Sequence, residues 1–327
     1  MDFGNILALA FGEIISPTTA AYALAALGLA VHFGYTGLLN FGQAGFMAVG
    51  AYGFAIPTLS FGAPLPVAVL IALLASVVFA ILLGIPTLRL RADYLAIVTI
   101  AAAEIIRYVV TTNSLTNVTG SANGLAGGFE NGFFALNPFP EGAYNIGPVG
   151  MNADGLFIRV VGWTIVALAC LSVWLLMRSP WGRVLKGIRE DENAVRSLGK
   201  NVYAYKMQAL IIGGLMGTVA GMIFTIPRGA VQPANYATEL TFFLYTVLLL
   251  GGMATVLGPV IGAMIFWVVL SLTQSLLFGA IETGAITFLT NVQAGQLRYI
   301  LVGVALMLLM IFRPQGVLGN KKELAFA

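Results

Sequence analysis

Long apolar runs separated by short polar segments set the rhythm of this chain. A bilayer-crossing helix needs about 20 predominantly apolar residues. Nine stretches meet that need: 16–34, 38–59, 64–86, 94–111, 156–177, 205–226, 240–257, 258–279 and 297–313. The pattern predicts an all-α, polytopic membrane protein with about nine transmembrane helices, forming a single transmembrane domain over 1–327. Two intervals break the rhythm. Residues 112–155 form a loop rich in Gly, Asn and Pro, which contains Glu130, Glu141 and Asp154 and has no Lys or Arg. Residues 178–206 instead concentrate charge, with Arg178, Arg183, Lys186, Arg189, Glu190, Asp191, Glu192, Arg196, Lys200 and Lys206.

The local pattern of 178–206 predicts two short helices, Gly182 to Ile188 and Glu192 to Leu198. Asp191 is placed to N-cap the second, and Gly199 to end it in a left-handed conformation. Val184, Leu185 and Ile188, then Ala194, Val195 and Leu198, recur at helical spacing and give each piece an apolar face. A stop-transfer loop needs only basic residues to set orientation. The acidic triplet Glu190-Asp191-Glu192 and the two apolar faces go beyond that need and point to a docking surface.

Composition agrees with the pattern. The chain is 59% hydrophobic and 9% charged, against roughly 25% charged residues in soluble domains. A net charge of +3 is too slight to suggest a nucleic-acid partner. One cysteine, Cys170, and one histidine, His32, rule out a cysteine–histidine metal cluster or a catalytic triad built from them. His32, near a helix end, is expected to be interfacial. The acidic Asp2 and Glu13 do not resemble the basic start of a cleavable signal.

Charge also predicts orientation. With 178–206 in the cytoplasm, twelve basic residues fall on that side, the loop's seven together with Arg89, Arg91, Arg313, Lys321 and Lys322. Arg107, Arg159, Arg228 and Arg298 remain at or near the outer side. The positive-inside rule then puts the N-terminus outside, 112–155 outside and the C-terminus inside.

Two glycine-interrupted stretches, 37–52 and 251–266, carry small residues every few positions. Corresponding broken helices in two halves are a mark of transporters, and ordinary close helix packing needs the same residues. The junction 251–258 reads either as a loop or as a break within one helix. Glu104 and Arg107, three apart within a span, lie on one helix face and neutralise each other. No G-x-x-x-x-G-K-[ST] phosphate loop is present, so the chain has no evident means of hydrolysing nucleotide. Almost no unpaired mid-span acid is left for a coupling ion, which a stand-alone secondary transporter would need. The expectation is a transport subunit that draws energy from a partner at 178–206.

These residues also resemble a known family. GRVLKGIREDENAVRSLGKNV at 182–202 is similar to the coupling segment of LivM-type permease subunits of branched-chain amino-acid ABC importers. LLNFGQAGFMAVGAY at 38–52, LRLRADYLAIVTIAAAEIIR at 88–107, TNVTGSANGL at 116–125, LLLGGMATVLGPVIGA at 248–263 and IFRPQGVLG at 311–319 agree in order. The resemblance implies a type II-like ABC importer permease of the bacterial inner membrane that moves aliphatic amino acids; urea and short-amide permeases share the same blocks. It implies four kinds of partner: a second, LivH-type permease, two cytoplasmic ATPases, an external amino-acid-binding protein and membrane lipid. ATP and Mg would be bound by the ATPases and no cofactor by this chain. Gly182, Arg183, Ile188, Arg189, Glu190, Asp191, Ala194, Leu198 and Gly199 would form the ATPase-coupling segment, with Arg189, Glu190 and Asp191 as polar contacts. Substrate would pass between the permeases, and the polarity and position of Asn40 and Gln43 make them candidates to line its path. Lys200 departs from the apolar residue that relatives commonly carry after the glycine.

Overall fold

The computed structural model describes residues 3–90, 92–147, 149–283, 290–312 and 315–319. Arg91, Arg313, Lys321 and Lys322, which entered the orientation count, lie outside the described residues, as does the Arg298 side chain. Helices α1 (Phe3–Ile14) and α2 (Pro17–Leu29, continued as a π-helix over Ala30–Tyr35) lead into α3 (Gln43–Phe61), α4 (Leu65–Thr87) and α5 (Ala92–Thr111). The 112–155 region holds two single-turn helices, α6 (Thr116–Thr119) and α7 (Asn131–Phe134), and three short strands, β1 (Leu125–Ala126), β2 (Ala143–Ile146) and β3 (Val149–Asn152). There follow α8 (Ala153–Arg178), α9 (Pro180–Glu190), α10 (Glu192–Ser197), α11 (Val202–Thr225), strand β4 (Ala230–Val231), α12 (Thr238–Gly251), α13 (Gly258–Glu282) and α14 (Asn291–Phe312).

Among the described residues, six helices, α3, α4, α5, α8, α11 and α13, are long and apolar enough to cross a membrane, and the α1–α2 pair, bent by 40°, makes up to seven. The predicted span 297–313 falls largely on side chains outside the described residues. One expected span is corrected: in the stretch 240–257, α12 stops at Gly251 after 14 residues. At 1.5 Å per residue such a helix falls well short of a ~30 Å hydrocarbon core. The junction 251–258 is therefore a real break between helices, with Gly252 at φ +122°, a conformation closed to most other residues.

Packing explains the glycines. Helix α11 is 72% buried across its apolar window, whereas α5 and α13 are 22% buried. Along α11, Gly213 abuts the Gly28 carbonyl of α2, Gly217 abuts Gln43 and Gly221 abuts the Met47 carbonyl of α3. A methyl group at these positions would separate the backbones, so small residues set the interhelical distance, as they do generally in lipid.

The elements sort to two ends. At one end lie the end of α2, the α4–α5 turn, the α9–α10 loop and the α12–α13 break. At the other, β1 pairs antiparallel with β4, Leu125 opposite Val231, and β2 with β3 in a hairpin. The polar 112–155 region is thus a folded cap on a body that is otherwise helical. Arg89 shares a cavity with α10 residues at the first end. Arg107 in the last turns of α5, Arg159 in the first turns of α8 and Arg228 after α11 lie toward the second.

Candidate functional site

The charged loop is built as two capped helices. Pro180 occupies the first turn of α9, where its missing N–H costs nothing. The Asp191 carboxylate accepts from the amides of Asn193 (2.8 Å) and Ala194 (3.0 Å), opening α10, and Gly199 at φ +75° follows its end. The loop is braced to the body by Trp181 Nε1, which donates to Gln208 Oε1 at 2.7 Å, and by Glu192, which receives both Arg196 (2.8 Å) and Lys206.

The nine residues of the expected coupling segment divide into two groups. Arg183, Glu190, Asp191, Ala194, Leu198 and Gly199 are exposed, and Leu198 is 79% exposed, unusual for a leucine that has no lipid-facing helix to belong to. Gly182 and Ile188 are buried with Leu185, so the apolar face of α9 is spent on anchoring the loop to the helical body. Gly182 has no room for a side chain against the Met177 main chain. Arg189 is half-buried and turned inward, its Nη1 donating to the Gly34 carbonyl at the end of α2. The surface free to meet a partner is therefore the α10 edge with its Ala194 and Leu198. Beside it opens a groove of about 820 Å³ bordered by Arg89, Arg196, Lys206, Tyr203 and Glu192.

The first glycine stretch also contains a break. Residues 37–42 are non-helical between α2 and α3, and Gly37 has φ +74°. Asn40 and Gln43 are both buried, and as placed neither side chain reaches solvent. Asn40 Nδ2 donates to His32 Nδ1 at 3.0 Å, and its Oδ1 accepts from Gly42 N at 2.8 Å. His32 is fully buried rather than interfacial, because its Nε2 donates to the Leu210 carbonyl (3.1 Å) while Nδ1 accepts from Asn40. That pairing fixes the Nε2–H tautomer. Gln43 Nε2 donates to the Ala25 (3.2 Å) and Gly213 (3.1 Å) carbonyls. Its buried Oε1 finds no partner among the described residues. Further groups complete the break: Thr99 Oγ1 accepts from Phe41 N (3.0 Å), Thr241 Oγ1 accepts from Ala44 N (3.0 Å), and Tyr245 donates to the Asn40 carbonyl (2.9 Å). Sequence reasoning missed these residues. The available signal was a lone histidine within an apolar run, which must find a partner inside the protein.

Glu104 and Arg107 pair across one turn of α5, with Nη2 2.6 Å and Nε 2.7 Å from Oε2. The other carboxylate oxygen accepts from both Thr238 N (3.2 Å) and Thr238 Oγ1 (2.7 Å). Glu104 thereby supplies an acceptor to the first turn of α12, where amides lack intrahelical partners and a negative charge is favoured. The pair is a brace between two helices as well as a neutralised charge.

A family model described as branched-chain amino acid transport system / permease component matches residues 14–311. The high-affinity branched-chain amino acid transport system permease protein LivM of Escherichia coli (strain K12) is 32% identical over 93% of this chain and 69% of its own length. "Probable branched-chain amino acid transport permease protein LivM" of Methanocaldococcus jannaschii is 26% identical over 92% of this chain and 91% of its own length. The autoinducer 2 import system permease protein LsrC of Salmonella choleraesuis is 32% identical over 33% of each chain. Among solved structures, PsaBC from Streptococcus pneumoniae covers 95% of this chain at 13% identity with a TM-score of 0.38, too low to argue a shared fold.

Proposed function

Since this chain belongs to the family of branched-chain amino acid transport system permease components, we propose that it is the LivM-type permease subunit of an ABC importer that carries branched-chain, aliphatic amino acids across the bacterial cytoplasmic membrane. The observation that carries the reading is the family match over nearly the whole chain, 14–311. The multi-pass helical body and the charged two-helix loop agree with it.

In this reading the end that carries α9 and α10 faces the cytoplasm, and the exposed α10 edge, with Glu190, Asp191, Ala194 and Leu198, docks into one of two ATPases. ATP and Mg are bound there and not by this chain. A second, LivH-type permease and an external binding protein complete the assembly. Because Asn40 and Gln43 are buried, they would border the substrate path only once the α2–α3 break opens. The energetic logic is that a ligand shifts an inward/outward equilibrium only by its differential affinity for the two states. Amino acid alone drives no cycle, whereas ATP binding and hydrolysis at the loop favours each state in turn.

Reconstitution tests the reading. Alone in liposomes the chain is expected neither to hydrolyse ATP nor to accumulate leucine under a proton or sodium gradient. With a second permease, two ATPases and a leucine-loaded binding protein it is expected to give ATP-dependent leucine uptake. Gradient-driven accumulation by the isolated chain would overturn the proposal in favour of a secondary transporter. Uptake of urea or acetamide instead of leucine by the full assembly would overturn the substrate assignment.

A further inference from the structure

The charged loop meets the first glycine break at one side chain, and the second break packs on the residue which that side chain holds. Arg189, the last basic residue of α9, does not point toward the surface that α10 exposes. Its guanidinium donates to the carbonyl of Gly34, within the π-helical end of α2. The last carbonyls of a helix lack intrahelical acceptor duty, and a cation there also complements the helix dipole. Immediately beyond, the chain turns around the same side chain. A Cβ on Gly37 would lie 3.3 Å from Arg189 Cγ and 3.5 Å from its Cα.

Gly34 is a junction in its own right. On its other side it abuts the Met253 carbonyl in the α12–α13 break, so closely that no side chain fits. From the same π-helical turn, the His32 carbonyl accepts from Leu38 N at 2.8 Å while its ring holds Asn40. Displacing the Gly34 carbonyl therefore shifts groups belonging to both breaks. A cavity of about 150 Å³ bordered by Thr36, Gly37, Leu38, Leu95, Ile188 and Arg189 leaves room for such a shift beside the contact. The neighbouring charges are arranged differently: Arg196 pairs with Glu192 within α10, and Lys206 at the start of α11 holds the same carboxylate, so neither reaches the Gly34–Asn40 break.

We propose that Arg189 is a positioning residue for transport, a strut that passes movement of the α9–α10 loop to the Gly34–Asn40 break, and not a contact for the ATPase. The proposal rests on the reading of this chain as an ATP-driven permease. It assigns the two halves of the loop different work: α10 meets the partner, and the end of α9 moves the core.

The test uses the complete importer in liposomes, with wild type, Arg189→Gln and Arg189→Lys compared for ATPase co-purification, ATP hydrolysis and leucine uptake in the same vesicles. For Arg189→Gln the ATPases are expected to co-purify and hydrolysis to stay within about twofold of wild type, while leucine moved per ATP falls roughly tenfold, the scale of a typical coupling free energy. Arg189→Lys keeps a cationic donor and is expected to recover part of that ratio, so it carries the test if the glutamine variant fails to reach the membrane. An unchanged ratio in both variants would mean a static cap and overturn the strut. Loss of ATPase co-purification would make Arg189 a docking residue and overturn it equally. No leucine uptake by the wild-type assembly would overturn the functional reading beneath it, whereas normal wild-type uptake with an unchanged variant ratio sinks the strut alone.

Discussion

The two glycine-rich breaks, at 37–42 and 252–257, look alike in sequence and are held together differently. A non-helical segment inside a membrane protein must have its backbone N–H and C=O groups satisfied by protein. At the first break side chains do this: Asn40 for Gly42 N, Thr99 for Phe41 N and Tyr245 for the Asn40 carbonyl. At the second, another stretch of main chain ties down the end of α12 that opens the break. Val317 N donates to the Leu250 carbonyl and Leu318 N to the Gly251 carbonyl, each at 2.9 Å. Glycine packs on glycine there, with Gly251 against the Gly258 carbonyl. The lesson is that the first break can be altered by removing polar atoms, and the second chiefly by adding apolar ones.

The largest effect should come from adding atoms at the second break. Any Cβ on Gly251 collides with the Gly258 carbonyl, a backbone atom that cannot swing aside. Gly251→Val is expected to destabilise the protein by roughly 3 kcal/mol, the upper range for overpacking. The readout is the midpoint of thermal aggregation in detergent. A midpoint within a degree or so of wild type would show that the two helix ends do not close on each other in this way.

Removing atoms at the first break comes next. Asn40→Ala leaves His32 Nδ1 and Gly42 N without their partner in a fully buried site. An unsatisfied buried group costs about 1–3 kcal/mol, so a loss of about 2 kcal/mol is expected, visible as a lower thermal midpoint. Combining it with His32→Ala sharpens the comparison: residues in one hydrogen-bond network are non-additive by about 0.5–3 kcal/mol. Strict additivity would mean that His32 and Asn40 do not act as a unit.

How much of this was legible in the sequence depends on the range of the forces involved. The α9–α10 loop was readable because caps and periodicity are local. Asp191 accepts from the amides two and three residues on, and Gly199 takes the left-handed conformation its position suggested. The direction of the α9 apolar face was not readable, because Leu185 and Ile188 suit a partner's surface and the protein's own body equally well. The structure gives them to the body. The interruption at 251–258 was visible in its glycines, but the choice between a loop and a break was not, because hydropathy counts apolar residues and is blind to backbone conformation. Asn40 and Gln43 announced polarity, but polarity does not say whether the partner is water, substrate or a carbonyl. In the structure it is His32 for one and main-chain carbonyls for the other. The β1–β4 pairing joins segments about a hundred residues apart, beyond the reach of local pattern.

The smallest expected effect provides the most discriminating check on the comparison. Thr255 contributes a side-chain hydrogen bond inside the second break, from Oγ1 to the Gly252 carbonyl at 3.0 Å. Thr255→Val keeps the shape and removes the hydroxyl. The same carbonyl still receives Thr255 N at 3.4 Å, and the residue is only half-buried, so no group is stranded in the core. The expected cost is about 1 kcal/mol or less, the usual net worth of one hydrogen bond. It should be clearly smaller than that of Asn40→Ala measured in the same detergent. If Thr255→Val instead matched or exceeded Asn40→Ala, the second break would depend on a side chain after all. The distinction between a break held by side chains and one held by main chain would then fail.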